Sequence, residues 1–171
     1  MTAGHLVRRF FGSLLPGGPG ADDRAWAEAQ LLPNEQQLWE RMRAADRRHA
    51  VGVAQRVERA LGHEATRPVL AAALLHDVGK IESGLGTYGR VVATLSAAVA
   101  GREQARTWAR GSGITRKVGL YLLHPQLGGD LLAMNGSDPL TIAWTREHHM
   151  PDDHWTVPRP IALALKHADD D

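Results

Sequence analysis

Nine histidines and no cysteine set the chemistry open to this chain of 171 residues. A thiol nucleophile, a disulfide and a thiolate zinc site are excluded. Nitrogen and oxygen ligands remain. They concentrate at Leu74-Leu75-His76-Asp77-Val78-Gly79-Lys80, where an apolar run stops at an imidazole, a carboxylate, a glycine and a lysine. Adjacent side chains on a helix diverge by about 100°, yet both His76 and Asp77 can reach one metal lodged at a helix end. Gly79 lets the chain turn out of the helix at little steric cost. Lys80 places a cation where an anionic substrate can sit. By itself the pair is also what the polar end of a buried helix looks like.

The other histidines weigh against that plainer reading. His49 falls on the apolar stripe of a long helical segment, His124 ends another segment, and His148 and His149 end a third. His167 lies beside Asp169-Asp170-Asp171, whereas His5, His63 and His154 fall in loops or at ends. Each buried imidazole left without a partner costs on the order of 1–3 kcal/mol. A shared metal cluster satisfies several of them together. Imidazole and carboxylate ligands suit Fe, Mn, Zn, Ni or Co better than calcium.

The elements that must position these groups read as helices throughout. A breaker cluster, Pro16-Gly17-Gly18-Pro19-Gly20, precedes a short helix over 22–30 that opens on two aspartates. Leu38, Met42, Ala45, His49, Val53 and Val57 recur at three- and four-residue spacing and predict one long helix over 34–61, started by Asn34 with Gln37 as in a capping box. Gly62 ends it. Pro68 suits the first turn of the next helix, whose residues 69–75 are almost wholly apolar and therefore surrounded by other helices. Further helices are expected over 88–100, 103–110, 114–123, 127–134, 139–148 and 161–168, with a proline-bounded loop over 151–160. Ser137 or Asp138 is the expected cap of the helix over 139–148. Strand signals, internal repeats and sustained heptads are not evident. The expected fold is an all-α bundle with a metal site between helices, residues 1–33 forming an N-terminal arm and short helix and residues 34–171 the helical domain.

The pattern resembles the HD-domain metal-dependent phosphohydrolases, named for a His…His-Asp…Asp series on an all-α fold. The first histidine is similar to His49 in Asp46-Arg47-Arg48-His49, the pair to His76-Asp77 in His-Asp-Val-Gly-Lys, and the last aspartate to Asp169 in Lys166-His167-Ala168-Asp169, with Asp170 and Asp171 as competitors. His124-Pro125-Gln126-Leu127-Gly128 and Glu147-His148-His149 resemble segments of the HD-GYP and other multinuclear members. No Gly-Tyr-Pro follows, since the chain continues Met150-Pro151-Asp152-Asp153-His154-Trp155. The resemblance implies two divalent ions. His49, His76, Asp77 and Asp169 would hold one, and His124 with His148 or His149 the other, with Asp77 bridging. It implies a metal-activated water attacking a phosphate ester of nucleotide-like type, with Asp77 and Lys80 catalytic and Lys80, Arg47 and Arg48 on phosphate oxygens. Two other functions are weighed against it: a non-catalytic metal- or ligand-sensing signalling domain, and a di-iron oxygenase.

Bulk properties narrow the partners. The net charge of +1 gives no global case for nucleic acid. Locally, six basic residues face one acid between Arg90 and Lys117, a solvated face or a rim for a phosphate-bearing small molecule. No run approaches the ~20 apolar residues that span a bilayer. The basic, apolar stretch His5-Leu6-Val7-Arg8-Arg9-Phe10-Phe11 reads as an arm folding back on the domain rather than a signal peptide or membrane-surface helix. A reducing, cytoplasmic setting is expected from the absence of cysteine.

Overall fold

The computed structural model describes residues 17–86, 89, 93 and 102–170. Among them the chain is all-helical, as expected, with nine α-helices and three 3₁₀ turns. The basic arm, the helix expected over 88–100 (apart from Gly89 and Ala93) and Asp171 lie outside the described residues.

Helix α1 spans Ala21–Ala29 with Asp22 and Asp23 in its first turn. Helix α2, Pro33–Arg41, starts one residue before the expected Asn34. It is closed by Glu35 rather than Gln37: the Leu32 amide donates to Glu35 Oε2 at 2.8 Å. The long helix expected over 34–61 is broken. Met42 and Arg43 are both extended, with ψ of 149°, before α3 runs over Ala44–Leu61. No glycine or proline marks this break. Tertiary contacts explain it, since Met42 turns into the core at 3% exposure and Arg43 Nη1 donates to the Leu85 carbonyl at 2.7 Å. Gly62, with a positive φ of 55° that a side chain would disfavour, then ends α3.

Helix α4, Arg67–Leu75, is the centre of the core. Val69 to Leu75 are all buried, and α4 packs between α3 and α8. Full burial of a leucine such as Leu74 or Leu75 contributes about 1.5–3 kcal/mol. Trp39, Val53, Val57, Leu132, Trp144 and Leu165 complete the same cluster, and Ala27 and Leu31 at the α1 end belong to it too. After α4 the chain makes the 3₁₀ turn Val78–Ser83.

Helices α5, Arg102–Ala109, and α6, Gly113–Leu122, form a hairpin. Their backbones touch at Gly119, where a Cβ would come within 2.3 Å of the Ala109 nitrogen. Arg106, Arg110, Arg116 and Lys117 of the basic run are exposed on this hairpin. Helix α7, His124–Met134, follows after a single bent residue, Leu123. His124 therefore opens a helix instead of ending one. Helix α8, Pro139–Glu147, is capped by Asp138, which accepts from the Leu140 amide at 2.9 Å. A short turn, Asp152–His154, leads to α9, Arg159–Asp170, which packs against α3. No helix among the described residues is long and apolar enough to cross a membrane.

Candidate metal centre

Four helix ends and one helix middle converge. His76 follows the last residue of α4, His124 opens α7, His148 and His149 follow α8, Asp169 lies in the last turn of α9, and His49 lies within α3. The ring centroids of His49 and His76 are 5.7 Å apart, those of His76 and His148 5.3 Å, and those of His124 and His148 5.5 Å. Candidate ligand atoms of His49, His76 and Asp77 lie within 4.8 Å of one another, and those of His124, His148 and His149 do the same. Either group could hold a metal ion.

Three imidazoles share one local device. Nδ1 of His76 lies 2.9 Å from the Ala73 carbonyl, Nδ1 of His124 lies 2.7 Å from the Tyr121 carbonyl, and Nδ1 of His148 lies 2.9 Å from the Thr145 carbonyl. Each acceptor is three residues earlier. A carbonyl only accepts, so Nδ1 must carry the proton, and Nε2 of the neutral ring keeps a free lone pair. All three Nε2 atoms are buried without a hydrogen-bond partner. Leaving three such acceptors empty costs on the order of 1–3 kcal/mol each. A metal with imidazole preference satisfies them, so the residues present fit a transition-metal centre.

Asp77, 3% exposed, divides its two oxygens between the groups. Oδ2 lies 3.4 Å from His76 Nε2 and is ion-paired with Lys80 Nζ. Oδ1 lies 3.2 Å from His124 Nε2 and 3.9 Å from His148 Nε2. Asp169 Oδ1 lies 2.9 Å from His49 Nε2 and 3.6 Å from His76 Nε2. Its neighbour Asp170 instead pairs with Lys166 at 2.7 Å, so among the described terminal aspartates it is Asp169 that faces the histidines.

Charge placement follows from burial. Desolvation works against an ionised Asp77, but Lys80 and His76 outweigh it and hold its carboxyl well below the usual range. Burial also works against a charged His76, yet the carboxylates of Asp77 and Asp169 prevail and raise its pKa. His148 is driven well below its ordinary value by burial and then by the neighbouring His149, His76 and His124. His124 is lowered chiefly by burial; His149 is lowered by the protein packed around its ring, although part of the residue reaches solvent, and then by the neighbouring His124. The three-imidazole group is thus held neutral, the form that binds a metal.

The other expected residues make contacts of their own. Lys80 is mostly buried, and its Nζ lies 5.8 Å from the Tyr121 ring centroid. Arg47 donates to the Glu40 carbonyl at 3.3 Å, and Arg48 donates to the Gly17 carbonyl. These contacts tie α3 to the preceding segments. Gly79 has no positive φ among the described glycines, so it does not serve as the expected turn. It permits close approach, because a Cβ there would lie 2.0 Å from the His124 oxygen and 2.6 Å from the Gly128 nitrogen. Arg56, which the sequence reading passes over, donates twice to the Ala168 carbonyl, at 3.0 and 2.8 Å, and so fixes the backbone beside Asp169. Its spacing of seven from His49, which puts both on one helix face, is the signal that finds it.

No family model matches the chain, and no curated protein or solved structure matches it.

Proposed function

We propose that this chain is a metal-dependent phosphohydrolase or phosphodiesterase of the HD-domain type, acting on a small nucleotide-like phosphate ester. The observation that carries the reading is the set of three buried Nε2 atoms, each without a hydrogen-bond partner, around the divided carboxylate of Asp77. A first ion would be held by His49, His76, Asp77 and Asp169, and a second by His124, His148, His149 and Asp77. Two bound divalent ions supply Lewis acidity toward a phosphoryl oxygen and lower the pKa of a water.

The chain's own residues do the rest. Asp77 joins the two ligand groups and contributes negative charge to both. Lys80 neutralises part of that charge and presents an ammonium to an incoming phosphate oxygen. His76, Asp77, His148 and Asp169 are almost wholly buried, while the His49 side chain is 26% exposed and His149 is exposed. A substrate would therefore approach from the face carrying His49 and His149. The lowered pKa values of His148 and His149 favour the neutral rings that bind a metal.

The test is a phosphate-release screen over nucleotides and cyclic dinucleotides with protein loaded in turn with Mn, Fe, Co, Ni and Zn, alongside metal analysis. Release that depends on metal and disappears in Asp77→Asn is the expected result. Bound metal with no release from any ester counts against phosphohydrolysis. If the metal is redox-active iron, that result points to an oxygenase. Failure to bind any metal favours a non-catalytic sensing domain.

A further inference from the structure

Glu147 immediately precedes His148 and is 8% exposed. It stands at the C-terminal end of α8, where the helix dipole disfavours a negative charge. Three donors from the returning chain offset that placement. The Thr156 amide donates to Oε2 at 2.7 Å, the Val157 amide to Oε2 at 3.4 Å, and the Thr156 hydroxyl to Oε1 at 2.5 Å. Hydrogen bonds to an ionised acceptor are the strong kind. They clasp the end of α8 to the far side of the loop that carries Asp152–His154. Separate fastenings hold the same loop, since Trp155 Nε1 donates to the Met150 carbonyl at 3.2 Å and Arg159 pairs with Asp152 at 2.8 Å.

The clasp matters because of what the backbone must do at His148 and His149. On a continuing helix these neighbours would diverge by about 100°. Here the helix stops, the Met150 amide donates back to the Glu147 carbonyl at 2.6 Å, and the two rings come to 4.0 Å between centroids. The His149 ring lies 5.3 Å from that of His124. His148 has its own anchor at the Thr145 carbonyl. His149 follows on the backbone path that leaves Glu147.

The geometry points to Glu147 as a positioning residue for His149. By gripping Thr156 and Val157, its carboxylate fixes the turn that lets two consecutive histidines serve one ligand group with His124. This rests on the metal-centre reading of the cluster. Glu147 touches no substrate or metal itself and acts through the chain it clasps.

The experiment titrates the full chain with cobalt(II), following stoichiometry by equilibrium dialysis, and records ring NMR of the metal-free protein. It compares Glu147→Gln, Thr156→Val and, as a control for loop fastening, Arg159→Ala. Thr156 is exposed, so its valine variant removes one donor to Glu147 without opening the core. Two cobalt equivalents are expected in the parent. Both clasp variants are expected to weaken one equivalent at least tenfold, spare the other, and shift the His149 ring signals. Arg159→Ala is expected to lower the melting temperature while keeping both affinities. Wild-type affinity at both equivalents in both clasp variants overturns the assignment, as does an equal loss in Arg159→Ala. A parent chain that binds no cobalt removes the metal-centre reading itself, and this inference with it.

Discussion

A Cβ added at Gly79 would lie 2.0 Å from the carbonyl oxygen of His124. The turn after α4 and the first turn of α7 are thus in backbone contact, and two candidate ligands, Asp77 and His124, are set against each other by that contact. Gly128 completes the approach from the α7 side, since its own Cβ would meet the Gly79 nitrogen at 3.0 Å. Gly79→Ala must push α7 away. Overpacking of this kind costs about 1–3 kcal/mol. The expected outcome is a lower urea midpoint together with weaker metal binding. An alanine variant with parental stability and affinity would show that the two segments do not pack this closely.

Asp77→Asn tests the divided carboxylate. It keeps the volume but removes the charge shared by the two ligand groups. It also removes the carboxylate charge that is ion-paired with the mostly buried Lys80, and breaking a buried pair costs about 3–5 kcal/mol. Metal stoichiometry should fall toward zero while far-UV circular dichroism retains the helical signal at low temperature. Retention of two metal equivalents would mean that Asp77 is no ligand.

Lys80→Met separates substrate binding from metal binding. Its expected signature is a KM for phosphate ester raised at least tenfold, with metal content unchanged. A kcat loss with constant KM would place Lys80 with the reacting atoms instead of with the ground-state anion.

Stability of the metal-free protein should fall with acidity. His124, His148 and His149 have folded pKa values below their ordinary 6.5. Below pH 6.5 the unfolded chain binds protons at these rings that the folded chain refuses, so stability declines as pH drops. Asp77, held well below 3.8, adds a further loss as pH falls below 3.8. His76 acts oppositely: its raised pKa contributes stability that is present below 6.5 and lost as pH rises through the folded value. His148, driven well below its ordinary value, with His124 and His149 lowered beside it, outweighs the raised His76 and sets the net sign. Urea midpoints measured at pH 7.5 and 5.5 should be lower at 5.5, and His148→Gln should flatten the difference.

Much of this arrangement is written locally, and some of it is not. The apolar run 69–75 announces α4 because no surface helix is apolar on every side. His76, His124, His148 and His149 stand out because each adjoins a helix boundary that glycine, proline or a change in periodicity marks. The break at Met42-Arg43 carries no such mark, since it depends on the Leu85 carbonyl more than forty positions away. Gly79 invites a turn by its residue type, yet its use is steric and depends on α7 arriving alongside. Arg56 and Glu147 look like ordinary charged surface residues until α9 and the 156–157 backbone are in place. Local chemistry is legible where a residue acts on its own helix; it is hidden where the partner is distant in sequence.

His49 and Asp169 meet at 2.9 Å although 120 positions separate them. An ion held by both would be a removable cross-link around nearly the whole helical domain. Closing a loop of n residues costs an unfolded chain about (3/2)RT ln n beyond a constant, and the cross-link withholds that freedom from the unfolded chain as long as the ion stays bound. Chelation would then act at a distance, loosening α3 from α9 as well as emptying the cluster between them.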